Sequence, residues 1–355
     1  MIWLTWRQSR AQAAMMAAAL AVLAAILALT GPNLADDYST GIAACTTESD
    51  GCSQFVQRFF HDHQGSFLAV TAVVLVLPAL IGLFWGAPLI TRELEAGTHR
   101  LVWNQTITRT RWLAVKLGLT GLAAMTAAGL GSLAVTWWSG PVDKSAAHDF
   151  PRLAPLLFDA RGIVPIGYAA FAFALGVTVG MLVRRTLPAM AITLAVFVAV
   201  QIAMPLLVRP HLIPPKHATI EITVANLDGL RGRPGTGPTE AILRTPDAGA
   251  YAGAWVLSGQ AVDASGHAID TIPLSRTGAC APPEGGPAPP PSGAKPGDAL
   301  SGCFAELKRL GYRQQVTYHP ASRFWPFQWY ETAIYLALAL GLAGFCFWRL
   351  RHRLS

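Results

Sequence analysis

The sequence predicts an all-α polytopic membrane protein of six transmembrane helices, with a small β-containing extracellular domain between helices five and six. Three observations predict it. Of 355 residues, 52% are hydrophobic and only 13% charged, about half the roughly 25% charge usual in soluble domains. Charge is nearly excluded from six apolar runs, 11–30, 66–90, 113–138, 163–183, 187–208 and 330–348, which hold only Lys116 and Glu331. Each run is close to the ~20 residues that cross hydrocarbon as a helix. Between the fifth and sixth, residues 209–329 turn rich in Gly and Pro. An ordinary soluble enzyme is excluded, as is a disordered chain, which would be polar and charged.

Lys and Arg orient the spans. With both termini on one side, segments 1–10, 91–112, 184–186 and 349–355 carry 11 basic residues in 42 positions. The opposite short loops, 31–65 and 139–162, carry four in 59. Both termini are therefore expected in the cytoplasm and 209–329 outside, since long domains translocate regardless of charge. The net charge of +7 then marks an inner membrane face, not a nucleic-acid site.

In chain order, residues 1–10 read as an amphipathic interface helix, with Trp3 and Trp6 beside Arg7 and Arg10. Residues 11–35 carry no charge, a longer apolar stretch than a signal-peptide core, so the first span is expected to be retained. Ala17, Ala21 and Ala25 form one small-residue face, and Gly176 with Gly180 a GxxxG. Both read as packing within one bundle, with a dimer contact as the alternative. Arg184, Arg185 and Thr186, followed by Pro188, join spans four and five in a tight hairpin. In 209–329, alternation predicts strands over 218–225 and 254–262, a turn at 263–266, and a short helix over 303–311 ended by Gly311. Residues 281–298 are a Pro/Gly-rich loop. Phe324, Trp325, Phe327, Trp329 and Tyr330 read as an aromatic belt before the sixth span, 330–348, and the tail 349–355.

Cys45 and Cys52 share the first outer loop, Cys280 and Cys303 the large outer segment, and Cys346 lies in the last span. Four outer cysteines fit an oxidising exterior and allow three connectivities; the local pairing, 45–52 with 280–303, closes the short loops. No ligand quartet of zinc spacing occurs, and His61 and His63 read as surface residues, so no metal is expected.

Catalytic residues are not expected either. The chain has no HExxH, no GxSxG and no pair of carboxylates within the spans. Gly232–Pro238 is glycine-rich but lacks the lysine of a phosphate loop. The spans also lack the run of buried Asp, Glu, His or Lys expected of a proton-coupled pump. If the chain transports, its energy comes from another polypeptide.

The informative stretch is the inner loop, 87–117, APLITRELEAGTHRLVWNQTITRTRWLAVKL. Arg92, Glu93 and Glu95 end the second span, and Gly97 and Thr98 bend the chain. An amphipathic piece over 99–106 carries Leu101, Val102 and Trp103, and Thr108 caps the third span beside Arg109, Arg111 and Lys116. Periodicity alone leaves open a docking elbow and a bare surface connector.

The run R-E-x-E-x-G-T, then a Leu, an Arg and a Lys entering the next span, resembles the cytoplasmic loop of ABC-2 type transporter permeases. It is carried by Arg92, Glu93, Glu95, Gly97, Thr98, Leu101, Arg109 and Lys116. The six-span order, the N-terminal lead-in and the one long connection between spans five and six extend the likeness over the membrane part. The resemblance implies a permease subunit of an ATP-driven exporter in the bacterial cytoplasmic membrane. A separate cytoplasmic ABC ATPase would hold ATP and Mg, a second permease protomer would complete a dimer, and lipid would surround both. It also implies a coupling loop at 91–112, with Arg92, Glu93, Glu95, Gly97, Thr98, Leu101, Trp103 and Arg109 as the transmission site and Trp3, Trp6, Arg7 and Arg10 as the interface helix. Relatives have short re-entrant helices between spans five and six; here Pro205, Pro210, Pro214 and Pro215 mark where a remnant would lie. Apolar spans with scattered Thr, Tyr168 and Gln201 fit a hydrophobic or amphipathic cargo such as an antibiotic, peptide or lipid. The alternative is a membrane-anchored receptor or assembly factor acting through its outer domain. Arg outnumbers Lys 22 to 5 amid abundant Ala, Gly and Pro, as GC-rich bacterial coding produces.

Overall fold

The computed structural model describes residues 2–45, 51–95, 108–145, 151–223, 226–231, 239–243, 251, 253–269, 272–274 and 301–352. Among them, six helical runs are long and apolar enough to cross a membrane: Ala13–Ala44, Gln54–Glu93, Arg109–Trp138, Val164–Val183, Thr186–His211 and Ala321–His352. The chain divides into two compact units, one of 1–150, 154–213 and 324–355, the other of 151–153 and 214–323.

In the first unit, α1 (Ile2–Ala44) runs without a break through the expected interface helix into the first span. Helix α2 (Gly51–Ile81) continues through a π turn, Gly82–Gly86, into α3 (Pro88–Glu95). Then come α4 (Arg109–Trp138), α5 (Gly140–Ser145), α6 (Pro155–Asp159), α7 (Val164–Val183) and α8 (Thr186–Ala203). A π turn, Met204–Val208, and a 3₁₀ turn, Arg209–His211, extend α8. The Pro205 and Pro210 region thus prolongs the fifth span rather than folding back as a re-entrant helix. The last span, which we number α10 (Phe324–His352), starts six residues before the apolar run.

Helix α7 is the centre. Apolar on every side and buried along most of its length, it packs against α10, α4, α8, α2, α3 and the first π turn. Close approach needs glycine: a Cβ on Gly180 would lie 2.7 Å from the Ala87 carbonyl oxygen, and one on Gly176 would strike the backbone of the π turn. The GxxxG therefore packs within one bundle. Ala17, Ala21 and Ala25 do not; they are exposed on α1. The seam of α1 uses larger residues at helical spacing, with Leu27 and Leu34 buried and Leu23 half-buried against Phe67, Val74 and Trp138, and the alanines fall on its flank. Arg184 takes the left-handed conformation, φ 59°, which closes the tight α7–α8 hairpin. A disulfide, Cys45–Cys52, ties the end of α1 to the start of α2.

The second unit holds an antiparallel sheet of order β1-β7-β4-β5 and a smaller one, β2-β3-β6. Their strands are β1 (Lys216–Glu221), β2 (Leu227–Arg231), β3 (Thr239–Leu243), β4 (Trp255–Val262), β5 (Ala268–Ile269), β6 (Pro273–Leu274) and β7 (Arg313–His319). Strand β1 covers the start of the expected 218–225, whose last two residues lie outside the described ones, and β4 matches 254–262 within one residue. The turn at 263–266 is present: the Asp263 carboxylate accepts from Ser265 and from the His267 amide. Helix α9 (Ser301–Arg309) ends before Gly311, whose φ of +78° favours glycine. Cys303 and Leu307 of α9 pack on Ile222, Ala261 and Ile272. Cys280 and residues 281–298 lie outside the described residues, and with them the expected 280–303 pairing.

The aromatic belt divides. Trp325, Trp329 and Tyr330 are exposed, whereas Phe327 is fully buried, because it shares with Gln328, Glu331, Thr332 and Tyr335 the buried face of α10.

Candidate functional site

Two polar networks hold the bundle, one at each end of α7. Each is built around one of the two charged residues that break the apolar runs.

At the C-terminal end of α7 the centre is α3. Its Glu93 pairs with Lys116 of α4, and Lys116 also lies 4.9 Å from the Trp112 ring centre. Glu95 reaches the hairpin: the Thr186 amide donates to its Oε1 at 2.7 Å and the Thr186 hydroxyl to its Oε2 at 2.7 Å. A carboxylate from another element thus caps the N-terminus of α8, where anions are favoured by the unsatisfied amides and the helix dipole. These two hydrogen bonds, aided by Arg185 and Arg92, hold the Glu95 carboxyl below the ordinary range. Thr91 completes the contact, donating to the Ala87 carbonyl and lying 3.3 Å from the Thr186 hydroxyl. Helix α3 is therefore fastened to spans three, four and five at once.

Of the predicted transmission residues, the structure places Arg92, Glu93 and Glu95 together on α3 and an exposed Arg109 at the start of α4. Thr108 precedes α4 in extended conformation without a side-chain capping bond. Gly97, Thr98, Leu101 and Trp103 lie outside the described residues. Trp3, Trp6, Arg7 and Arg10 are in α1; of their side chains only Arg10 is described, and it is exposed. Arg92 lies at one end of an apolar groove of about 420 Å³ between α1 and α2, lined by Met15, Leu23, Val73, Leu80 and Phe84.

At the other end, Arg209 and Glu331 are fully buried. Arg209 donates through Nε to Glu331 Oε2 at 2.8 Å and through Nη2 to Oε1 at 2.9 Å, and it also pairs with Asp159 of α6. The Tyr168 hydroxyl lies 2.8 Å from Asp159 Oδ1 and 2.5 Å from Glu331 Oε1. The Phe158 ring covers the guanidinium at 4.1 Å. Next to this cluster Gln328 of α10 accepts from the Ile163 and Val164 amides, capping α7 as Glu95 caps α8. Gly162, φ +67°, is required there, since its Cβ would lie 2.7 Å from Gln328 Oε1. Burial, only partly offset by Arg209 and reinforced by Glu331, pushes the Asp159 carboxyl up to about 6.

Glu331, a carboxylate inside a span, thus shares the Arg209 cation with Asp159 of α6, which lies outside the six apolar helical runs. Asp159 and Glu331 are far apart in sequence and are brought together by Arg209 and Tyr168, each of which contacts both. Glu331 inside a span was the one available signal, since a buried carboxylate demands a partner. Tyr168 is buried and Gln201 half-buried, with Gln201 accepting from Tyr335 at 2.7 Å. Buried Thr178 and Thr193 bond back to their own helices. Among the described residues no group of His, Cys, Asp and Glu could hold a metal.

A sequence model of the ABC-2 membrane transporter related family matches residues 17–209, more than half of the chain, and stops where the inserted domain begins. No curated protein and no solved structure matches the chain.

Proposed function

Since the chain belongs to the ABC-2 membrane transporter related family and is an ABC transporter permease, we propose that it is the membrane subunit of an exporter. It works as a homodimer with two copies of a cytoplasmic ABC ATPase that holds ATP and Mg. The observation that carries this reading is the fastening of α3. Residues 96–107 connect α3 to α4 in sequence, and Glu93–Lys116 with Glu95–Thr186 joins the end of α3 to two other spans, the third and the fifth. A push delivered to that loop is carried as a rigid displacement into spans two to five, because charged contacts among packed helices resist sliding.

Glu93, Glu95 and Gly97–Trp103 form the transmission site, Trp3–Arg10 the interface helix, and residues 209–329 an extracellular domain. The apolar groove between α1 and α2, ending at Arg92, favours a hydrophobic or amphipathic cargo such as a peptide, antibiotic or lipid. The test is co-purification of the chain with a candidate ABC ATPase, followed by ATPase and transport assays on Glu93→Ala, Glu95→Ala and Trp103→Ala. Loss of transport with ATP hydrolysis retained is expected. Failure of any ATPase to co-purify, together with unchanged transport, overturns the coupling role and favours a receptor acting through the inserted domain.

A further inference from the structure

We propose that Asp159 and Glu331 share one proton through the Tyr168 hydroxyl, making the junction of α6, α7 and α10 a proton-binding site. The proposal does not rest on the transport reading above.

The argument is a count of hydrogens. Tyr168 has one hydroxyl hydrogen and two carboxylate oxygens within hydrogen-bond distance, Glu331 Oε1 at 2.5 Å and Asp159 Oδ1 at 2.8 Å. It can donate to only one of them. Between two anions, the other contact would set a lone pair against a carboxylate. A proton on Asp159 removes the conflict: Asp159 donates to Tyr168, and Tyr168 donates to the Glu331 carboxylate. The charge count agrees. One guanidinium faces two carboxyl groups, and it is divided unequally. Glu331 receives a two-pronged contact from Nε and Nη2, the stronger, bidentate geometry of a guanidinium on a carboxyl group. Asp159 receives only Nη2, while Nη1 is buried with no hydrogen-bond partner among the described residues. Two carboxyl groups that share one buried guanidinium favour keeping a proton on one of them.

Among the described residues, the neighbouring titratable groups have partners of their own. Tyr335 of α10 donates to Gln201. Arg161, two residues after Asp159, is held by Asp143 of α5 at 3.5 Å and Thr71 of α2 at 3.3 Å. The raised carboxyl of Asp159 is in keeping with this. The proton comes from water, forms an O–H bond on Asp159, and leaves as pH rises, with no redox partner involved. While it is bound, three elements are joined by a continuous donor chain. After it leaves, that chain is broken at Tyr168.

The experiment is infrared spectroscopy of the full chain purified in detergent, titrated from pH 5 to pH 8 in H₂O and D₂O. Wild type is expected to show a protonated-carboxyl C=O band at acid pH, deuterium-sensitive and lost by pH 8. In Asp159→Asn and Glu331→Gln an amide takes the place of the protonated acid, leaving a single carboxylate paired with Arg209, so the band is expected to vanish in both. Absence of the band in wild type at pH 5, or its survival in either variant, overturns the proposal. Should an amide variant fail to fold, Tyr168→Phe decides: losing the hydrogen bond must shift the band, and an unshifted band overturns the assignment.

Discussion

Removing the carboxylate of Glu93 while Lys116 stays in place strands a cation inside the bundle. Lys116 is only 5% exposed at its side chain and Glu93 15%, so neither charge is well solvated alone. Breaking a buried pair from one side costs about 3–5 kcal/mol. The Trp112 ring beside Lys116 offsets about 0.5–1 kcal/mol of this, placing Glu93→Gln near 3 kcal/mol. Lys116→Met strands the more exposed partner and is expected to cost less, about 2 kcal/mol. The double variant removes both charges and leaves methionine in an apolar wall, so it should cost about 2 kcal/mol or more less than the sum of the two. The assay is a double-mutant cycle from denaturation of the detergent-purified chain. Additivity within about 0.5 kcal/mol would refute the claim that these two groups hold α3 on α4. The double variant also separates stability from coupling, since it should fold yet transmit ATP-driven motion poorly.

Four further outcomes follow from the structure. Stability should fall as pH rises: Asp159 binds its proton more tightly folded, at about 6, than at its ordinary 3.8, so the stabilisation is full below 3.8 and lost through 6. Between pH 5 and pH 8 the loss is about 1.4 kcal/mol, one unit of proton binding, and thermal melts of Asp159→Asn should lose this slope. Gly176→Val forces a branched side chain into the backbone of the π turn; a cost of about 3 kcal/mol or more in melting is expected, and near-neutrality would remove the GxxxG from the bundle interior. Replacing Cys45 and Cys52 by Ser opens a closed loop with a sequence separation of 7, and denaturation should show a loss of about 2.5 kcal/mol on the chain-entropy account. Glu95→Gln should leave melting nearly unchanged, because the site is exposed. It should lower ATP-coupled transport, read as transport per ATP hydrolysed, by loosening α3 from the α7–α8 hairpin.

How much of this was legible in the residues differs by element. The six spans were, because a helix that crosses hydrocarbon must be long and apolar and six such runs stand out in the sequence. Their ends were not: α10 begins at Phe324 and α1 at Ile2, since helical hydrogen bonding does not stop where hydropathy does. The Gly311 stop, the turn at Asp263 and the Cys45–Cys52 bridge are short-range chemistry and could be read directly. Glu93 and Glu95 were singled out for their motif, but nothing local says that one pairs with Lys116 while the other caps α8.

By itself the sequence determined a polytopic helical chain, its inserted β-containing domain and its kinship with ABC-2 permeases, because length, hydropathy and a local motif are properties of contiguous residues. Only the tertiary structure decided what the two charges left inside the spans are for. Lys116 answers Glu93 and Glu331 answers Arg209, and Asp159 joins the second pair from outside any span. A charge in a low-dielectric bundle must find its partner wherever folding brings one, and sequence distance carries no record of that meeting.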